Sequence, residues 1–254
     1  MNDIVVLIYT YKNNFYKIKY LKDSWIGKLK EKNIPYYFIT GDNFDIDEPY
    51  LKIDFSESYE QLPLKTYLAL EKSLTVDYKH VVKTDDDIFL NVDKLIGLDL
   101  TNIDYLGKEN YPNNLKDTHF YKCKDTEYHL PKLETKYAYA EGGFYILSRK
   151  SVEIIVNTPK EVFFNKPSLY RGEDVLVGEI LLQNNINLVD YKDNMGSNVK
   201  MDITREGLSI HPVHFTLLSK INNLQFKDQI NILKSNPYLN DYIKKDIFDG
   251  IKKQ

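Results

Sequence analysis

The chain has a single cysteine, Cys123, among 254 residues. No internal disulfide can form, so the sequence does not look built for an oxidising compartment. No apolar run approaches the ~20 residues of a membrane span, and no charged segment followed by an apolar stretch opens the chain as a secretory leader would. Charge of either sign is in little excess: 34 basic and 37 acidic residues leave −3, too small an imbalance to mark a nucleic-acid binder or an acidic tail. Arginine is scarce, present only as Arg149, Arg171 and Arg205. Both common glycine cradles for phosphate, G-x-x-x-x-G-K-[ST] and G-x-G-x-x-G, are missing. No Cys/His cluster has zinc spacing. What remains is 43% hydrophobic, enough for a real core, and this excludes a disordered chain. The expectation is a soluble cytoplasmic domain. Its 21 tyrosines are mostly packing residues.

Apolar patterning predicts alternating strands and helices. Asp3–Thr10 is a continuous apolar run, the mark of a strand buried on both faces in a parallel sheet. Residues 14–32 have helical spacing through Ile18, Leu21, Trp25 and Leu29. Strands follow at 35–40, 51–55 and 79–84, with a helix over 62–74 that takes Pro63 in its first turn. Residues 108–136 are polar and weakly periodic, and read as long loops with an edge hairpin. A strand is predicted from Gly142-Gly143 to Ser148, then helices over 149–158 and 173–184. This order predicts an α/β class with a mostly parallel central sheet flanked by helices. No linker divides the chain. Residues 1–219 are expected to form one domain, with 220–254 a helical extension packed on it.

Three constellations could carry chemistry. Asp85-Asp86-Asp87 directly follows the strand over 79–84, where an open α/β sheet binds ligands beyond strand ends. Adjacent carboxylates repel one another unless a cation neutralises them. In an extended segment Asp85 and Asp87 share one side and Asp86 the other, and two such oxygens suit Mg²⁺ or Mn²⁺. The competing reading is a solvated acidic turn. Glu173-Asp174 opens a helix; the pair either caps it and complements its dipole, or places a general base beside an anchoring partner. His211 and His214 could supply a metal ligand, or be ordinary core or surface histidines. Gly142-Gly143 could be a strand bulge, or could let an acceptor approach the backbone closely.

Taken in order, the motifs resemble a known family. They are Lys22-Asp-Ser-Trp25, Phe38-Ile-Thr-Gly41, and the stretch from Asp54-Phe-Ser through Tyr59 and Leu62 to Lys65-Thr66. They continue with Lys83-Thr-Asp-Asp-Asp-Ile-Phe-Leu-Asn91, Tyr139-Ala-Glu-Gly-Gly-Phe-Tyr-Ile-Leu-Ser148 and Glu173-Asp-Val-Leu-Val-Gly178. Over residues 1–215 the chain resembles the β-1,3-galactosyltransferase/Fringe group, glycosyltransferase family 31. The resemblance implies a single GT-A domain and an inverting transfer of a hexose or N-acetylhexosamine from a UDP-sugar. The acceptor would be a glycan or glycan precursor, the linkage β, usually to a 3-hydroxyl. It further implies that Asp85, Asp86 and Asp87 contact nucleotide and a divalent metal, usually Mn²⁺, with Asp87 a direct ligand. Asp174 would be the catalytic base beside Glu173, and His211 or His214 would complete the metal site. Thr10 and Tyr11 would lie near the uridine, and Lys65 matches the family's lysine.

Lys22, Gln61 and Ala138 depart from the family's usual arginine, asparagine and proline. The anchor and paired cysteines of Golgi members are also missing, which favours a cytosolic enzyme of a bacterial or viral host cell. Two other functions are compatible with the residues: a catalytically silent UDP-sugar-binding module, and another metal-dependent nucleotide transferase.

Overall fold

The protein is described from a computed structural model over residues 2–41, 47–54, 57–86, 88, 90, 92–111, 137–164 and 172–190. The strands are β1 (Asn2–Tyr9), β2 (Tyr36–Thr40), β3 (Tyr50–Lys52), β4 (Tyr78–Asp85), β5 (Tyr105–Asn110), β6 (Tyr139–Ser148) and β7 (Val189–Asp190). They form one seven-stranded sheet in the order β3-β2-β1-β4-β6-β5-β7. Only β6 runs against the others. The helices are α1 (Phe15–Leu21), α2 (Gly27–Glu31), α3 (Leu62–Ser73), α4 (Val92–Ile96), α5 (Arg149–Asn157), α6 (Glu161–Phe164) and α7 (Glu173–Gln183). The expected α/β class with a mostly parallel sheet is the observed one.

β1 is apolar from Ile4 to Tyr9 because both its faces are covered there. Val6 and Ile8 point to one side, with Ile18, Leu21 and Trp25 of the first helical segment and Leu95 of α4. Val5, Leu7 and Tyr9 point to the other, with Leu70 of α3, Ile155 of α5 and Leu176 of α7. The same alternation along β4 puts Val82 with the first layer and Val81 with the second. A π-helical turn, Lys22–Ile26, joins α1 to α2. It carries the buried Trp25, whose indole N–H donates to the Ile88 carbonyl at 3.1 Å. That bond pins the chain just beyond the acidic end of β4.

Two expectations need correction. The strand predicted to start on Gly142-Gly143 begins at Tyr139, so both glycines lie inside it. The weakly patterned region conceals β5, which pairs with β6 and β7 within the sheet. Its apolar signal stops after Leu106 because Lys108, Glu109 and Asn110 are only half-buried and Gly107 must stay bare. A Cβ there would stand 2.4 Å from the Ala140 Cβ across the strand pair. Residues 112–136, expected as loops and a hairpin, and 220–254, expected as a helical extension, lie outside the described residues.

Candidate active site

The parallel strands β1 and β4 end side by side, with Tyr9 in register with Asp85. At this end Asp86 turns away from Asp85, as its place in the run predicts. Its N–H donates to the Tyr9 carbonyl at 3.1 Å. Its buried carboxylate accepts from Thr10 Oγ1 at 2.8 Å, Asn14 Nδ2 at 3.1 Å and Lys17 Nζ at 2.9 Å. Burial raises the Asp86 pKa, and the Lys17 ammonium and the hydrogen bonds of Thr10 and Asn14 hold it back. Asp86 therefore ties the exit of β1 to the first helical segment. Thr10 is buried in this contact, while Tyr11 beside it is 40% exposed.

Lys65, on α3, closes the same corner from the opposite face. Its buried ammonium donates to the Thr10 carbonyl at 2.6 Å and to Glu57 at 3.1 Å. Glu57 in turn accepts from the Gly41 N–H at 2.8 Å, joining the end of β2 to that of β1. Burial lowers the Lys65 pKa against the pull of Glu57.

The second acidic motif meets the first across Lys83. Asp85 Oδ1 accepts from Lys83 Nζ at 2.7 Å. The same ammonium lies 3.2 Å from Glu173 Oε1 and donates to the Gly142 carbonyl. Burial by itself would lower the Lys83 pKa, but Asp85 and Glu173 outweigh it and the net shift is upward. Glu173 is 5% exposed and also accepts from Tyr145 Oη at 3.0 Å and Thr66 Oγ1 at 3.4 Å. Burial pushes its pKa up to about 7; Lys83 opposes the shift, while Asp174 and Asp85 add to it.

Asp174 is held differently. Its carboxylate accepts from the Gly142 N–H at 3.0 Å and the Val175 N–H at 2.9 Å, and its side chain is not fully enclosed. Burial raises its pKa, partly offset by those N–H groups and by Lys83. Gly172 precedes the helix at φ 84°, a conformation that suits glycine, and a Cβ there would stand 2.9 Å from Asp174 Oδ1. Gly142 and Gly143 make room for the protein's own groups. A Cβ on Gly142 would lie 3.0 Å from Glu173 Oε1 and 3.2 Å from Asp174 Oδ2, and one on Gly143 would lie 3.2 Å from Ile88 Cδ1.

The donor set can be tested against a divalent cation. Asp85 is a hard oxygen donor with 39% of its side chain exposed. Around Lys83 stand three carboxylates, Asp85, Glu173 and Asp174. One ammonium, Lys83, serves that group, and the raised pKa of Glu173 takes up part of the remaining negative charge. Among the described residues no three His, Cys, Asp or Glu side chains gather as a complete metal set. Asp87, His211 and His214 lie outside the described residues. The sequence reading missed Lys83, Lys17 and Tyr145. Lys83 carried a signal in hindsight: it directly follows the apolar pair Val81-Val82 of a central strand and lies two positions before Asp85, and unlike the exposed Lys79 of the same strand it is buried.

With this geometry in place, comparison with known proteins decides the family. The sequence profile described as galactosyltransferase matches residues 19–192. The chain belongs to the galactosyltransferase family. It is a glycosyltransferase by family and has the GT-A fold. A search of curated proteins found no match. Among solved structures, a glycosyltransferase involved in glycosylation of the major capsid of PBCV-1 superposes with TM-score 0.52 at 10% identity. That alignment covers 86% of this chain and 99% of the other. A Drosophila β-1,4-galactosyltransferase 7 mutant, solved with manganese, UDP-Gal and xylobiose, aligns at TM-score 0.44 and 11% identity, over 94% of this chain and 82% of the other. No helix among the described residues of this galactosyltransferase-family chain is long and apolar enough to cross a membrane.

Proposed function

We propose that this galactosyltransferase-family protein is an inverting, metal-dependent enzyme. It transfers a hexose or N-acetylhexosamine from a UDP-sugar to a hydroxyl of an acceptor glycan, the 3-hydroxyl by family resemblance, and leaves a β-linkage. The observation that carries this reading is the contrast between the two adjacent carboxylates. Glu173 is enclosed and bonded on every side that matters, whereas Asp174 is anchored by backbone N–H groups and keeps access to the site. A fixed, accessible carboxylate of raised basicity is what an acceptor hydroxyl needs to lose its proton as it attacks. Transfer with inversion takes one such base, while double displacement would call for a carboxylate nucleophile as well. Glu173 anchors Asp174 and is the next candidate base.

Tyr11, exposed beside Thr10, offers a face for the uracil ring. Thr10, Asp86 and Lys65 fix the backbone on which the nucleotide would lie. Asp85 and Asp87, with His211 or His214, would hold Mn²⁺ or Mg²⁺. When bound, the ion stabilises negative charge on the departing diphosphate as a Lewis acid. The acceptor hydroxyl would approach Asp174 past Gly142, whose lack of a side chain keeps the carboxylate seated.

A panel of UDP-sugars with Mn²⁺, scored by released UDP with and without chelator, tests the reading. Chelator-sensitive release from one sugar is the expected result and names the donor. UDP binding without turnover, even when acceptor sugars are added, would instead make the protein a silent binding module. Transfer of a phosphate-bearing group would make it a nucleotide transferase.

A further inference from the structure

Lys83 occupies a position that no nucleotide or sugar can reach, since it is 2% exposed. In the sheet it sits in register with Leu7 on one side and Tyr145 on the other. Its side chain therefore rises on the face covered by α7. The rings of Tyr9 and Tyr145 flank the ammonium at 4.8 and 5.7 Å. An ammonium has three hydrogens to give, and Lys83 has three oxygen partners: Asp85 Oδ1, Glu173 Oε1 and the Gly142 carbonyl. Those partners belong to three separate stretches of chain. Gly142 is the link that matters, because its N–H holds the Asp174 carboxylate. One residue is thus gripped at its carbonyl by Lys83 and at its N–H by Asp174.

We infer that Lys83 is a positioning residue that fixes where Asp174 stands relative to Asp85, acting through the Gly142 backbone and the Glu173 carboxylate. The functional half of this inference rests on the reading of Asp174 as the base; the structural half does not. The site calls for a lysine here because a neutral side chain of similar length fills the space but gives no hydrogens. The Gly142 carbonyl would lose its buried donor, and Glu173 would stay buried without a counter-charge. Gly142 would then be free to shift, and Asp174 with it.

The experiment compares wild type, Glu173→Gln, Lys83→Met and Lys83→Met/Glu173→Gln. The double variant matters because it removes the stranded carboxylate, so it keeps the test alive where Lys83→Met alone unfolds. The first readout needs no substrate: amide hydrogen exchange at Gly142 by NMR, with the Val5 and Val81 amides of the central strands as the reference for folding. The second is kcat and KM for UDP release with Mn²⁺ from the donor that wild type uses. In the double variant, Gly142 exchange should rise by about tenfold or more over Glu173→Gln while the reference amides hold. Turnover should fall by about 10²-fold relative to Glu173→Gln, the cost of a misplaced group, with donor KM within about threefold. Equal Gly142 exchange in the double variant and Glu173→Gln would overturn the inference, leaving Lys83 as a mere neutraliser of Glu173. Equal kcat would overturn its functional half. If wild type releases no UDP and yet Gly142 exchange rises in the double variant, the proposed function fails and the hold of Lys83 on Gly142 stands.

Discussion

Two neighbouring acids, Glu173 and Asp174, show how environment assigns different work to like side chains. Asp174→Asn keeps the volume and one of the two backbone N–H contacts, since its amide has a single acceptor oxygen, and it removes the proton acceptor. Donor binding should survive, and transfer should fall by at least ~10²-fold, the usual size of a general-base effect. Titration of UDP with Mn²⁺ alongside a turnover assay checks both halves. Glu173 predicts a pH effect on stability. Its folded pKa, about 7, lies above the ordinary 4.5, so the native state holds this proton more tightly than the unfolded chain does. Its contribution is therefore favourable at low pH and is lost as pH rises from about 4.5 through about 7. Glu173→Gln does not titrate. Its stability relative to wild type should accordingly improve between pH 5 and pH 8 by on the order of 2 kcal/mol. Denaturant melts at the two pH values measure this. A difference that is flat or of opposite slope would mean that Lys83 keeps Glu173 ionised throughout.

Among the strands and helices, the glycines decide how closely neighbours approach. Gly107 of β5 faces Ala140 of β6, and Gly178 of α7 faces Tyr139, where an added Cβ would stand 2.6 Å from the Tyr139 Cβ. Both contacts seat elements that carry the site: β6 brings Gly142, and α7 brings Glu173 and Asp174. Gly107→Ala should cost about 1–3 kcal/mol, the range for overfilling a packed interior. A lowered thermal midpoint with wild-type UDP affinity in the surviving folded fraction is the expected pattern. An unchanged midpoint would show that the β5–β6 pairing can open without penalty. This close approach also explains why β5 escaped the sequence reading: its central position is served by a residue that carries no hydrophobic signal.

For the molecule as a whole, Asp85 at the end of β4 and Asp174 at the start of α7 are only partly buried, and a ligand that engages them should stabilise the folded state. UDP with Mn²⁺, at about a hundredfold above Kd, should stabilise the folded state by about 2.7 kcal/mol. Chelator should abolish most of that gain. A thermal-shift titration with and without chelator reads the effect. An identical shift in chelator would place UDP binding outside any metal site.

The layer order of the fold was readable along the chain because burial on two faces writes continuous apolar strands, and one-sided helices write their spacing. Asp86 turning away from Asp85 followed from the geometry of an extended segment. The carboxylate pair at the start of α7 was visible as well, but its division of labour was not. Glu173 became the enclosed member only because β4 delivers Lys83, β6 delivers Tyr145 and α3 delivers Thr66 to one point. Hydrophobic patterning records which face of an element is buried, a local property. Which cation answers which carboxylate depends on strand order and register, and those arise only when distant segments pack together.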